Sequence, residues 1–116
     1  MKIIELDSDG NVEPLIPLLI EAGVDCIWPL EAASNMDPVK IRKEYGKDIA
    51  LMGGIDKREL FGDKKRIEAE LRKKITPMIE TGGYIPTVDH TIPPETPLDN
   101  FKYYTELKMK LMEGKI

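Results

Sequence analysis

Apolar residues in this chain fall into short continuous runs separated by stretches in which they recur every three or four positions, with glycine at the changeover. Ile3-Ile4-Glu5-Leu6 reads as a strand and Asp7-Ser8-Asp9-Gly10-Asn11 as the loop leaving it. Val12, Leu15, Leu19 and Ala22 then keep helical spacing up to Gly23, a helix stop. Pro14 suits a first turn, whereas Pro17 predicts a start later than Val12 or a bend. A second strand runs from Val24 to Glu31, and Asp37-Pro38 supplies a cap and a first-turn proline for a helix through Ile41 and Tyr45 that Gly46 ends. Ile49 to Met52 is the third strand, running into Gly53-Gly54. The next helix spans about Asp63 to Thr81, with Ile67, Leu71, Ile75, Met78 and Ile79 as its apolar stripe and Lys64, Lys65, Arg66, Arg72, Lys73 and Lys74 on a solvated face. Gly82-Gly83 delivers a fourth apolar run, and a last helix from Asn100 to Glu113 buries Phe101, Tyr104, Leu107 and Leu111.

Four strand-then-helix units imply right-handed crossovers and a parallel sheet, with strands apolar enough for burial on both faces. A doubly wound sheet and a barrel both fit. The barrel is favoured because polar residues follow every strand: Asp7 and Asp9, Glu31, Asp56 and Lys57, then Asp89 and His90. In a barrel all four sets converge on one rim, where such folds bind ligands. A full barrel takes roughly 250 residues, so residues 1–116 read as one half-barrel domain. Its open edges and uncovered interior demand a cover: a second copy, a separate N-terminal half, or the rest of a longer gene product.

Composition narrows the setting. Charged residues make up 33% and hydrophobic residues 41%, as in an ordinary soluble protein. No apolar run reaches the ~20 residues of a membrane span, and the acid-interrupted start does not resemble a signal peptide, so a cytoplasmic protein is expected. Cys26 stands alone, without a disulfide partner or a zinc-finger spacing. A net charge of -4 and a pI near 5.1 argue against a nucleic-acid partner.

The candidate chemistry centres on His90, the only histidine, at the end of the fourth strand in Asp89-His90-Thr91-Ile92-Pro93-Pro94. Imidazole is both an acid–base group near neutrality and a common metal ligand. Asp56 and Lys57 are further catalytic candidates, although a structural ion pair accounts for them as well. Asp7, Asp9 and Glu31 are candidate ligands; turn formation explains Asp7, Asp9 and Gly10 equally, and Glu31 could cap a helix or pair with Lys57. Gly53-Gly54 lacks the third glycine of a dinucleotide fingerprint and suits tight backbone room or an anion contact. Trp28 and Tyr84 read as barrel packing.

The runs DSDGN, IWPLEAASNMDPVKIRKEYG, ALMGGIDKREL and GGYIPTVDHTIPPETPLDNFKYY, linked in this order, resemble the C-terminal half of uroporphyrinogen decarboxylase superfamily proteins over nearly the whole chain. The resemblance implies a (β/α)₈ barrel and a small-molecule substrate. Two enzyme activities follow from it: decarboxylation of a tetrapyrrole acetate arm, or methyl transfer with a corrinoid protein or coenzyme M. A half-barrel subunit without catalysis is the third reading. Of the decarboxylase pattern only His90 carries over, as the substrate-contacting histidine. Against the methyltransferase zinc pattern the matching positions are Asp7, Asp9, Glu31 and His90, with no thiolate among them. That donor set implies a divalent ion, zinc or a harder one.

Overall fold

The computed structural model describes residues 2–114. Four strands, β1 (Glu5–Asp7), β2 (Cys26–Trp28), β3 (Ala50–Met52) and β4 (Tyr84–Ile85), alternate with four helices, α1 (Ile16–Ala22), α2 (Pro38–Tyr45), α3 (Lys64–Thr81) and α4 (Leu98–Met112). The strands form one parallel sheet in the order β1-β2-β3-β4, so each crossover leads to the adjacent strand, as in part of a barrel wall. Among the described residues no helix is long and apolar enough to cross a membrane.

Local signals act where expected. The Asp37 carboxylate accepts from the Val39 N–H and the Asp63 carboxylate from the Arg66 N–H, giving α2 and α3 their caps. α1 starts at Ile16, with a 3₁₀ turn over Glu13–Leu15 before it. Pro17 thus falls in the first turn, where its missing N–H costs nothing. The strands are shorter than the apolar runs that encode them, because pairing stops where the chain turns into its loops.

Register decides what each face of the sheet carries. Leu6, Ile27, Leu51 and Tyr84 lie in one row across the four strands. Ile27 and Leu51 are 1% exposed and pack with Ile16, Ile41, Ile49 and Met78 beneath the helices. Each such side chain contributes about 1.5–3 kcal/mol by leaving water. Beside it a second apolar cluster joins Ile67, Leu71 and Ile75 of α3 to Tyr104, Leu107 and Leu111 of α4. One residue further along the strands, Asp7, Trp28, Met52 and Ile85 point to the opposite, concave face. That face carries the site.

Three helical assignments need correction. Ile79 and Phe101 are 39% and 38% exposed, so neither belongs to the core stripe. Lys74 is 5% exposed and is not on a solvated face. It lies between Leu71, Ile75 and Met78 on the buried side of α3 and is neutralised there by Glu70.

Burial also sets a pH limit on the fold. It pushes the Tyr104 phenol up to about 12, and it raises Tyr84, whose hydroxyl donates to the Gly53 carbonyl. In the unfolded chain both ionise near 10. The folded state therefore holds protons that the unfolded state releases, and stability falls as pH rises above ~10. Each pH unit there is expected to cost about 1.4 kcal/mol per tyrosine. Urea unfolding at a series of alkaline pH values measures this; a flat midpoint through the tyrosine range would contradict the burial of both rings.

Candidate functional site

At the carboxyl end of the concave face lies a cavity of about 400 Å³. Trp28, Pro29, Met52 and Val88 form its apolar wall, and Asp7, Asp9, Thr87, His90 and Thr91 bring polar groups to it. The sequence places these residues 80 or so positions apart; parallel strands in register bring them to one mouth. Asp7 ends β1, directly beside Trp28 of β2. His90 follows the extension of β4, where Ile55 and Val88 form a further parallel bridge. Its ring Nδ1 lies 3.2 Å from Thr91 Oγ1, and the ring is exposed to solvent.

The loops that make this rim are braced from behind by buried and half-buried charged groups. Glu31 Oε1 accepts the Gly10 N–H and so fixes the loop that carries Asp9. Asp89, 3% exposed, accepts the Ala32 N–H at 2.8 Å and the Lys57 N–H at 3.1 Å, tying the loops after β2 and β3 to the end of β4. Glu70 Oε2 accepts the Asp56 N–H at 2.7 Å and the Lys74 ammonium at 2.6 Å, while Lys74 also donates to the Gly54 carbonyl at 2.6 Å. Each carboxylate thereby satisfies a loop N–H at the rim.

Close backbone contact completes the rim. Gly54 N–H donates to the Pro29 carbonyl, and Gly53 passes so near the same carbonyl that only glycine fits. This is the tight backbone room expected of the pair. Leu30, buried beside them, holds a φ of 59°. A left-handed leucine costs of order 1 kcal/mol or more and persists only where its surroundings enforce it.

Of the six candidate residues, Asp7, Asp9 and His90 meet at this cavity. Glu31, Asp56 and Lys57 do not line it. Glu31 is spent on Gly10 rather than on Lys57. The Asp56 carboxylate caps the 3₁₀ turn Lys57–Phe61 and pairs with Arg58 at 2.7 Å, which holds its carboxyl below the usual range. It faces a second, outer cavity with Glu59, Glu70 and Lys73. The Lys57 backbone, not its ammonium, makes the contact with Asp89. Among the described residues no three His, Cys, Asp or Glu side chains converge closely enough to hold an ion, so the four-residue donor set does not close around one point. Cys26 is buried in β2, and burial, with Glu5 and Asp25 nearby, raises its thiol and disfavours a thiolate.

Asp89 was expected at the rim but not as a brace behind it, and Glu70 and Lys74 brace it without any motif to announce them. A legible trace of one existed: Glu70 and Lys74 stand four residues apart on one helix.

Two comparisons with known proteins bear on this arrangement. The sequence profile of the family described as Uroporphyrinogen decarboxylase (URO-D) matches residues 8–110. A uroporphyrinogen decarboxylase of Gloeobacter violaceus is 32% identical over 92 residues, covering 74% of this chain. The chain spans about a quarter of that relative, the matched part being 24% of its length.

Proposed function

This chain belongs to the uroporphyrinogen decarboxylase family, and from that premise we propose that it forms the C-terminal wall of an enzyme that decarboxylates acidic side chains of a tetrapyrrole. The observation that carries the reading is the single cavity holding Asp7, Asp9 and His90 against Trp28, Pro29 and Met52. A tetrapyrrole is a broad apolar ligand with N–H donors at its centre and carboxylates at its edge. The apolar wall suits its ring faces, and two carboxylates at the mouth suit its N–H groups. The same carboxylates repel the acidic arms, which turn toward the imidazole. Decarboxylation breaks the bond between an arm's CH₂ and its carboxylate carbon, releases CO₂ and returns a proton to the CH₂ carbon. His90 is assigned to hold the departing carboxylate by hydrogen bonding and to stand beside the carbon that regains a proton. Among the described residues no lysine or arginine lines this cavity, so cations for the remaining arms come from the part of the barrel that completes the rim.

The test is release of CO₂ from uroporphyrinogen. Asp9→Asn is expected to weaken binding, and His90→Gln to lower kcat about 100-fold with KM little changed. CO₂ release that is insensitive to His90→Gln would remove the histidine from the chemistry. No release by the wild type would leave a non-catalytic half-barrel subunit. Methyl transfer through a thiolate-held zinc gains no support from a lone thiol that is buried and protonated. Metal analysis of the wild type against an Asp9→Ala, His90→Ala double variant tests an ion at these carboxylates directly; equal metal content in the two would exclude it.

A further inference from the structure

We propose that the bond between Asp9 and Gly10 is a site of spontaneous backbone isomerisation, at which Asp9 becomes an isoaspartyl residue, and that the Glu31 carboxylate is the brake on it. Only Asp9, Gly10 and Glu31 are involved, so the site stands or falls apart from decarboxylation.

Asp9-Gly10 is the chain's only Asp-Gly pair, and the sequence holds no Asn-Gly pair. Isomerisation begins when a backbone nitrogen attacks the carboxyl carbon of the side chain before it, and glycine, having no Cβ, screens its own nitrogen least. The loop leaves room for that step. A Cβ placed on Gly10 would meet nothing within 4 Å, and φ there is +77°. Asp9 is exposed, and among the described residues nothing hydrogen-bonds to its carboxylate or pairs with it. The reaction balances without a cofactor. The Gly10 nitrogen gives up its proton and bonds to the Asp9 side-chain carboxyl carbon; that proton and the hydroxyl of the protonated carboxyl depart as water, leaving a cyclic imide. Water then opens the imide at the former backbone carbonyl, so the chain runs through the side chain and is longer by a CH₂.

Glu31 opposes the first step in two ways. Its Oε1 accepts the Gly10 N–H, a bond that must break before the nitrogen can turn onto Asp9. Its charge also lies beside that nitrogen, where it disfavours the anion that forms as the proton leaves. A carboxylate is far too weak a base to take an amide proton itself, so Glu31 does not drive the reaction. Holding the N–H on a charged acceptor slows closure of the imide by about tenfold or more. Glu31 follows a strand as a rim ligand would, yet it lines no part of the cavity. Its task is to preserve Asp9. Isomerisation would draw the Asp9 carboxylate back onto the main chain and away from Asp7 and His90, with which it shares the cavity.

The test holds the 116-residue chain at neutral pH and physiological temperature, with and without urea, while peptide mapping by mass spectrometry follows isoaspartate at residue 9. In the folded wild type isoaspartate is expected to form at least about tenfold more slowly than in urea, where Glu31 no longer holds Gly10. Glu31→Ala should remove most of that protection with circular dichroism unchanged. Glu31→Gln keeps an acceptor and drops the charge, so its rate should fall between the two. In urea all three chains should isomerise at one rate. Should Glu31→Ala lose helical signal, Glu31→Gln decides alone. Equal rates in folded and unfolded wild type, a folded Glu31 variant no faster than wild type, a difference between the chains that persists in urea, or no isoaspartate at residue 9 even in urea would each overturn the proposal.

Discussion

Gly53→Ala is expected to destabilise the fold by about 4 kcal/mol or more, at the top of the range for single substitutions. A Cβ on Gly53 would sit 1.9 Å from the Pro29 carbonyl oxygen and 2.7 Å from its carbon. Those are backbone atoms. The carbonyl cannot swing aside, because it accepts the Gly54 N–H and belongs to the turn in which Leu30 already holds a left-handed conformation. Gly53 itself has a φ of +101°, so alanine would add backbone strain to the collision. Gly23→Ala is the control: it too has positive φ, at +94°, in the left-handed α region, but nothing lies within 4 Å of the added methyl. It should cost about 1 kcal/mol. Urea unfolding of the two variants compares them directly, and similar losses would contradict the close crossing of the loops after β2 and β3.

The second large effect lies one layer behind the rim. Glu70 and Lys74 have side chains 10% and 6% exposed, and between them they satisfy the Asp56 N–H and the Gly54 carbonyl. Removing either partner leaves a buried charge and an unpaired backbone group. Glu70→Leu and Lys74→Met are each expected to cost about 3–5 kcal/mol. The double variant Glu70→Leu, Lys74→Met should cost clearly less than the sum, because no charge remains buried; a coupling of about 2–3 kcal/mol in the double-mutant cycle is predicted. Additive losses would mean the two side chains do not depend on each other. Either single change also frees the loop after β3, so it should loosen the cavity without touching a residue that lines it.

The architecture was legible because its signals are local. Asp37 and Asp63 capped the helices expected of them, glycine ended α1, α2 and α3, and four apolar runs became four parallel strands. The meeting of Asp7, Asp9 and His90 followed from that topology alone, since residues after parallel strands share one end of the sheet. What escaped notice depends on contacts between distant parts of the chain. Asp89 bonds an N–H 57 positions earlier, and nothing near either residue marks the partnership. Glu31 stands after a strand like a rim ligand, but the Gly10 loop 21 positions away captures it. Lys74 read as one more lysine in a basic run. Its burial follows from helical phase, which sets it beside Leu71 and Met78, and from Glu70 one turn earlier. Phe101 failed for the opposite reason: α4 has two apolar stripes, and spacing cannot say which one the core takes.

The proposed decarboxylation requires the concave rim to gather its polar groups into one tetrapyrrole cavity, and the chain carries built-in probes of that cavity. Trp28 is the only tryptophan and His90 the only histidine, and both line the cavity. Nuclear magnetic resonance of the 13.1 kDa chain during titration with reduced uroporphyrinogen reads each ring without ambiguity. The predicted result is a saturable shift of the Trp28 indole and the His90 imidazole together, at one common Kd that Asp7→Asn and Asp9→Asn both raise. Saturable binding that leaves both rings unmoved, or no binding at all, would contradict it.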